Sequence, residues 1–129
     1  MRAHLSAVRN PVARLQTLLS TALDGSRDDV TPIWVEAWSL GRRIPELAVA
    51  VTEQMQDWHD TVVDVLKAGV DAEAFHAENL DSIAWQTLGM IDGLNAHEMV
   101  GYRQEGSPVG LIGRALEHEL GLPPGSLTA

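Results

Sequence analysis

Residues 79–103 read NLDSIAWQTLGMIDGLNAHEMVGYR. From Ser82 onward the only full charge before Glu98 belongs to Asp92. Ile83, Trp85, Leu88, Met90, Ile91, Leu94, Met99 and Val100 recur all round the axis of a helix. A helix that is apolar on most sides must be covered on most sides. In a chain of 129 residues one face can go to the core and another to a partner chain.

The neighbouring segments are amphipathic helices. Over 45–68, Leu47, Val51, Met55, Trp58, Val62 and Val65/Leu66 recur at three- and four-residue steps. Glu46, Glu53, Asp57, Asp60, Asp64 and Lys67 occupy the other side, so a single stripe is buried. This helix is about 36 Å long. Residues 108–120 carry a shorter stripe of Val109, Ile112, Leu116 and Leu120. Residues 11–23 (Val12, Leu15, Leu18, Leu19, Ala22) and 31–43 complete the set.

The punctuation is helical as well. Asn10-Pro11, Thr31-Pro32 and Ser107-Pro108 each place a capping side chain before a proline at the first helical position. Pro45 starts a helix in the same way, while Gly25, Gly69, Gly106 and Gly121 mark stops. The first ten residues are compatible with a short extra helix. The expected architecture is an all-α bundle of about five helices forming a single domain over residues 1–129.

Composition narrows the function. There are no cysteines, which excludes disulfides, thiolate metal sites and a cysteine nucleophile. Met1–Asn10 lacks a signal-peptide run, and no stretch is long and apolar enough to span a membrane. A cytoplasmic location is expected. The net charge of −9 is uneven: residues 1–45 carry +2 and residues 46–129 carry −11. A surface this acidic repels phosphate backbones, so direct nucleic-acid binding by this chain alone is not expected.

Few features suggest chemistry. Gly89 and Gly93 lie four apart inside a helix, where each costs about 1 kcal/mol relative to alanine. Close approach of another helix to that face is expected, with a local kink or a tolerated loss of stability as the alternative. Four of the six aromatic residues are tryptophans. Trp34 and Trp38 share one helix face, and Trp58 and Trp85 fall on two other helices. An aromatic-lined ligand cavity and a plain Trp-filled core both remain open. Asp92 is a polar anchor for a ligand or a partner helix, or it faces solvent through a groove; if buried, it needs a donor.

His59, His76, His97 and His118 raise the question of a metal site. Glu73-x-x-His76 matches the unit of di-iron bundles, but only one copy occurs, and it lies in the Gly69–Asn79 connection. Solvated or capping histidines are the better reading, with no metal and no cofactor. No G-x-S-x-G segment and no triad spacing occur, so an enzyme is not expected.

The order of these pieces resembles the C-terminal domain of TetR-family transcriptional regulators, particularly the BetI-like subgroup. The residues that carry the resemblance are Trp34-Val-Glu-Ala-Trp38, Ile44-Pro-Glu-Leu47, Val65-Leu-Lys-Ala-Gly-Val70 and Leu88-Gly-Met-Ile-Asp-Gly-Leu94, followed by the final helix up to Leu120. It extends over roughly residues 10–122. Nothing in Met1–Asp29 resembles the helix-turn-helix with which such regulators begin.

The resemblance implies a small, often apolar effector held between helices 31–43, 45–68 and 79–103. The expected lining is Trp34, Trp38, Met55, Trp58, Val62, Trp85, Leu88 and Asp92. It also implies a homodimer whose four-helix interface is formed by 79–103 and 108–120 of each copy. The residues expected there are Leu94, His97, Glu98, Leu111, Arg114, Ala115 and His118. Effector binding would favour one arrangement of the helices and so reposition attached DNA-reading domains. The alternative is a stand-alone helical protein-interaction module without a cavity.

Overall fold

The computed structural model describes residues 2–25, 29–103 and 105–128. Residues 1 and 129, the ends of the expected single domain, lie outside the described residues. Among the described residues six helices follow one another: α1 (Arg2–Ser6), α2 (Pro11–Leu23), α3 (Thr31–Gly41), α4 (Pro45–Asp71), α5 (Leu80–Glu98) and α6 (Pro108–Glu119). No strand occurs among the described residues.

The short α1 is the sixth helix. It buries Leu5, and Arg2 reaches Asp64 at 2.7 Å and Asp57 at 3.4 Å on α4. α2 starts as its sequence demands: the Asn10 side-chain oxygen accepts from the Ala13 amide at 3.0 Å, with Pro11 next in line. It buries Leu15, Leu18, Leu19, Ala22 and Leu23, and packs against α1, α4, α5 and α6. Asn95 of α5 donates to the Ala22 carbonyl at 3.0 Å, satisfying a last-turn acceptor that would otherwise need water.

α3 departs from expectation at both ends. Its cap is Val30, without a side-chain hydrogen bond, and Thr31 is already inside the helix and buried. It stops at Gly41 rather than at residue 43. Pro45 explains the early stop, because a proline disfavours helical backbone in the residue before it. Ile44 accordingly is extended, and the Arg43 and Ile44 amides fold back onto the Leu40 carbonyl.

α4 runs past Gly69, which the sequence reading placed at a helix stop. Gly69 serves another purpose there. A Cβ on it would lie 2.0 Å from the Phe75 ring. The chain reverses after Asp71, and the amides of Ala74 and Phe75 both donate to the Gly69 carbonyl. Glu73 takes φ +60° to make that reversal. Phe75 is thereby folded down over Gly69 into the core.

α5 is shorter than the expected 79–103. Asn79 caps it by accepting from the Ser82 amide at 3.1 Å. It ends at Glu98 because Gly101, at φ +77°, turns the chain out of the helix, and the Tyr102 amide then closes onto the His97 carbonyl. Val100 and Tyr102 are left exposed in the turn. α6 opens with Ser107 accepting from the Gly110 amide at 3.3 Å. Its last carbonyl region ties back to the α4–α5 connection, since the His76 amide donates to Leu120 at 2.9 Å.

The core is aliphatic. Leu15, Leu18, Leu19, Val62, Leu66, Ile112, Leu116, Leu120 and Leu127 are fully buried, joined by Phe75. None of the four tryptophans belongs to it: Trp34, Trp38 and Trp58 are half-buried and Trp85 is exposed. A Trp-filled core is therefore set aside.

Candidate functional site

Four helices enclose a small cavity beside this aliphatic core. α2 contributes Leu18 and Ala22, and α3 contributes Trp34 and Trp38. α4 adds Met55, Trp58 and Val62, and α5 adds Leu88, Ile91 and Asp92. The i, i+4 spacing on α3 turns both of its indoles the same way, with ring centroids 6.3 Å apart and planes tilted by 37°. Met55, Trp58 and Val62 continue the buried stripe of α4, so the same periodicity that builds the core also builds this wall.

The cavity holds about 30 Å³, room for a water or two. Sites for drug-sized molecules run from about 300 Å³ upward. Any such ligand must therefore widen the space. Within α3 only Thr31 is fully buried, and the helix packs mainly against α4. Asp92 is the single carboxylate on the wall among the described residues. The Trp38 indole nitrogen is buried and has no hydrogen-bond partner among the described residues.

Of the eight residues expected to line a ligand site, Trp34, Trp38, Met55, Trp58, Val62, Leu88 and Asp92 come together here. Trp85 does not; it is 52% exposed. It lies on the same side of α5 as Asp92 but about 10 Å nearer the helix start, at about 1.5 Å per residue, beyond the end of the cavity. Leu18, Ala22 and Ile91 were not anticipated. The stripe of α2 reads simply as core, and nothing in its spacing says that its edge borders a void.

Trp85 instead covers His59, with ring centroids 4.8 Å apart. His59 is only 4% exposed. Its Nδ1 lies 3.2 Å from the Gln56 amide and 3.4 Å from Asp60. Its Nε2 lies 3.1 Å from an Asp81 carboxylate oxygen, close enough for an ion pair but too poorly aligned for a hydrogen bond. The Gln56 amide, and after it the His59 ring, hold the Asp60 carboxyl below the usual carboxylate range.

The residues expected at a dimer face divide into two groups. Leu94, His97 and Leu111 line an open groove between α5 and α6, together with Gly89, Met90, Gly93 and Ile112. Its volume is about 220 Å³. Arg114, Ala115 and His118 lie on α6 outside the groove, and Glu98 is engaged by Arg103 at 2.8 Å. A Cβ placed on Gly89 or Gly93 would meet nothing within 4 Å, so no described helix of the same chain approaches that face closely.

Glu73 and His76 lie in the 72–79 connection. Among the described residues, no group of three histidine, aspartate or glutamate side chains is placed to hold a metal ion. No helix among them is long and apolar enough to cross a membrane.

Comparison with known proteins adds one match. The family model for the C-terminal domain of BetI-type transcriptional repressors, of the TetR class, matches residues 11–118. No curated protein and no solved structure matches the chain. The matched span takes in α2 through all but the end of α6, and so every wall of the cavity and both sides of the groove. The chain belongs to the family of BetI-type transcriptional repressor C-terminal domains.

Proposed function

We propose that this chain is the effector-binding and dimerisation domain of a TetR-like transcriptional regulator. A small apolar molecule enters the space between α2, α3, α4 and α5, and two copies pair through α5 and α6. The observation that carries the reading is the gathering of Trp34, Trp38 and Trp58 around a void beside the aliphatic core. Interiors normally leave few voids, and three large rings that border one without filling it favour a ligand site.

The proposed mechanism follows from the cavity's size. A ligand too large for about 30 Å³ binds only a conformation in which a wall has moved. Binding therefore selects that conformation, by as much as its affinity for the two states differs. α5 borders both the cavity and the groove. A shift of α5 would alter how two copies sit on each other. Contact with DNA falls to a separate module, because this chain's net charge is −9. The reading gives it no catalytic role and a place among soluble cytoplasmic proteins.

Two measurements test the proposal. Light scattering at micromolar concentration is expected to give the mass of a dimer, and a strict monomer would remove the pairing. Intrinsic tryptophan emission, titrated with small neutral bicyclic compounds, is expected to change saturably. Silence from every compound would remove the cavity as a binding site.

A further inference from the structure

We infer that the effector carries a neutral hydrogen-bond acceptor, a carbonyl or ether oxygen, that takes the N–H of Trp38. This inference rests on the ligand-site reading above and specifies the chemistry of what binds there.

The starting point is a donor without an acceptor. The Trp38 indole nitrogen is shielded from solvent, lies on a residue that lines the cavity, and has no partner among the described residues. Buried indole N–H groups usually find a partner, because leaving one unmade forfeits its bond to water with nothing in return. Trp58 and Asp92, also on the wall, already have interactions within the chain. Most of the remaining wall is aliphatic or thioether: Leu18, Val62 and Leu88 offer no acceptor, and the Met55 sulfur only a weak one.

Charge then limits the kind of acceptor. The strongest acceptors are anions, but Asp92 stands on the same wall and the chain carries −9 overall. An anionic acceptor would also give up its hydration against a wall that is otherwise apolar. A neutral oxygen on an apolar frame satisfies the indole without that penalty. The frame supplies the contact with the Trp34 and Trp58 rings.

The test uses 1-indanone and indane, which share a bicyclic frame and differ by the carbonyl oxygen. Both are titrated by calorimetry into the full chain and into Trp38→Phe, which keeps a ring and deletes the donor. The full chain is expected to bind the ketone about tenfold more tightly than the hydrocarbon. In Trp38→Phe that preference should fall to about one, whatever change in affinity the two compounds share. In the full chain the Trp38 indole proton resonance should move downfield with the ketone and not with indane. This second readout stands even where Trp38→Phe fails to fold. Indane-1-carboxylate is expected to bind at least tenfold more weakly than the ketone, and equal affinity would overturn the neutral assignment. If ketone and hydrocarbon bind the full chain equally, the acceptor inference fails and the cavity reading survives. Binding of neither overturns both.

Discussion

Glu117 shows how one side chain can close a fold. It is only 3% exposed, and its carboxylate accepts from the amides of Gly125 at 3.0 Å and Leu127 at 2.8 Å. These two bonds pin the last turns onto α6 and seat Leu127 in the core. Hydrogen bonds to a charged group contribute about 1.5–3 kcal/mol, and orphaned buried amides cost more than the mean bond. Glu117→Ala is therefore expected to lose about 2–4 kcal/mol in urea denaturation, and Glu117→Gln, which keeps one acceptor, clearly less. A loss below about 0.5 kcal/mol for the alanine variant would mean that the C-terminal turn holds without this residue. The surface carboxylate Asp60 acts through pH instead. The Gln56 amide, then His59, lower its pKa. A carboxylate lowered in the folded state contributes stability that is complete above about pH 4 and is lost as the pH falls through its own lower value. Gln56→Ala should move the Asp60 titration midpoint upward, toward that of an unpartnered aspartate, in a carbon-detected NMR titration. An unmoved midpoint would rule out the amide as the main cause.

At the level of helices, starts were easier to read than stops. A start is announced by a local pair, a capping side chain and a proline, and Asn10-Pro11 and Ser107-Pro108 act as that chemistry requires. A stop depends on what the chain does next. Gly69 resembles a terminator until Phe75 folds back over it, a contact made six residues later. Gly101 does terminate α5, yet it sits in a stretch so apolar that the helical pattern continues past it. The same contrast holds for the cavity. Spacing brings Trp34 and Trp38 to one face of α3 and Met55, Trp58 and Val62 to one face of α4, while α5 reads as apolar all round and shows no preferred face. Spacing did not reveal the level along α5 at which the cavity ends, which is why Trp85 covers His59 instead. Gly69 gives this point a measurable form. Alanine at an interior helix position normally adds about 1 kcal/mol over glycine. At Gly69 the methyl group would meet the Phe75 ring at 2.0 Å, so Gly69→Ala is expected to lower stability by about 1–3 kcal/mol. A stabilised variant would show that Phe75 does not occupy that seat.

At the scale of the whole molecule, the two glycines of α5 set helix propensity against association. Gly89 and Gly93 weaken the helix, and within the described chain they gain no close contact, since a Cβ at either would meet open space. Both border the groove that carries Met90, Leu94, Leu111 and Ile112. If that groove faces only water, alanine at both positions stabilises the helix, by about 1–2 kcal/mol in all, and changes nothing else. If a second copy seats its own α5 and α6 there, two-fold symmetry presents each glycine pair to the mate, and two methyl groups on each side hold the helices apart. The double variant Gly89→Ala/Gly93→Ala separates these cases, because the two effects have opposite signs. Under the dimer reading, its monomer is at least as stable as the parent's when diluted below the dissociation constant. Its dimer, followed by sedimentation, dissociates at a concentration at least about tenfold higher. Its melting temperature also loses dependence on protein concentration over the range where the parent's still rises, since association stabilises by mass action. A variant that melts higher at every concentration and associates as tightly as the parent would place the mate elsewhere on the surface, and would leave the exposed apolar side of α5 without a partner.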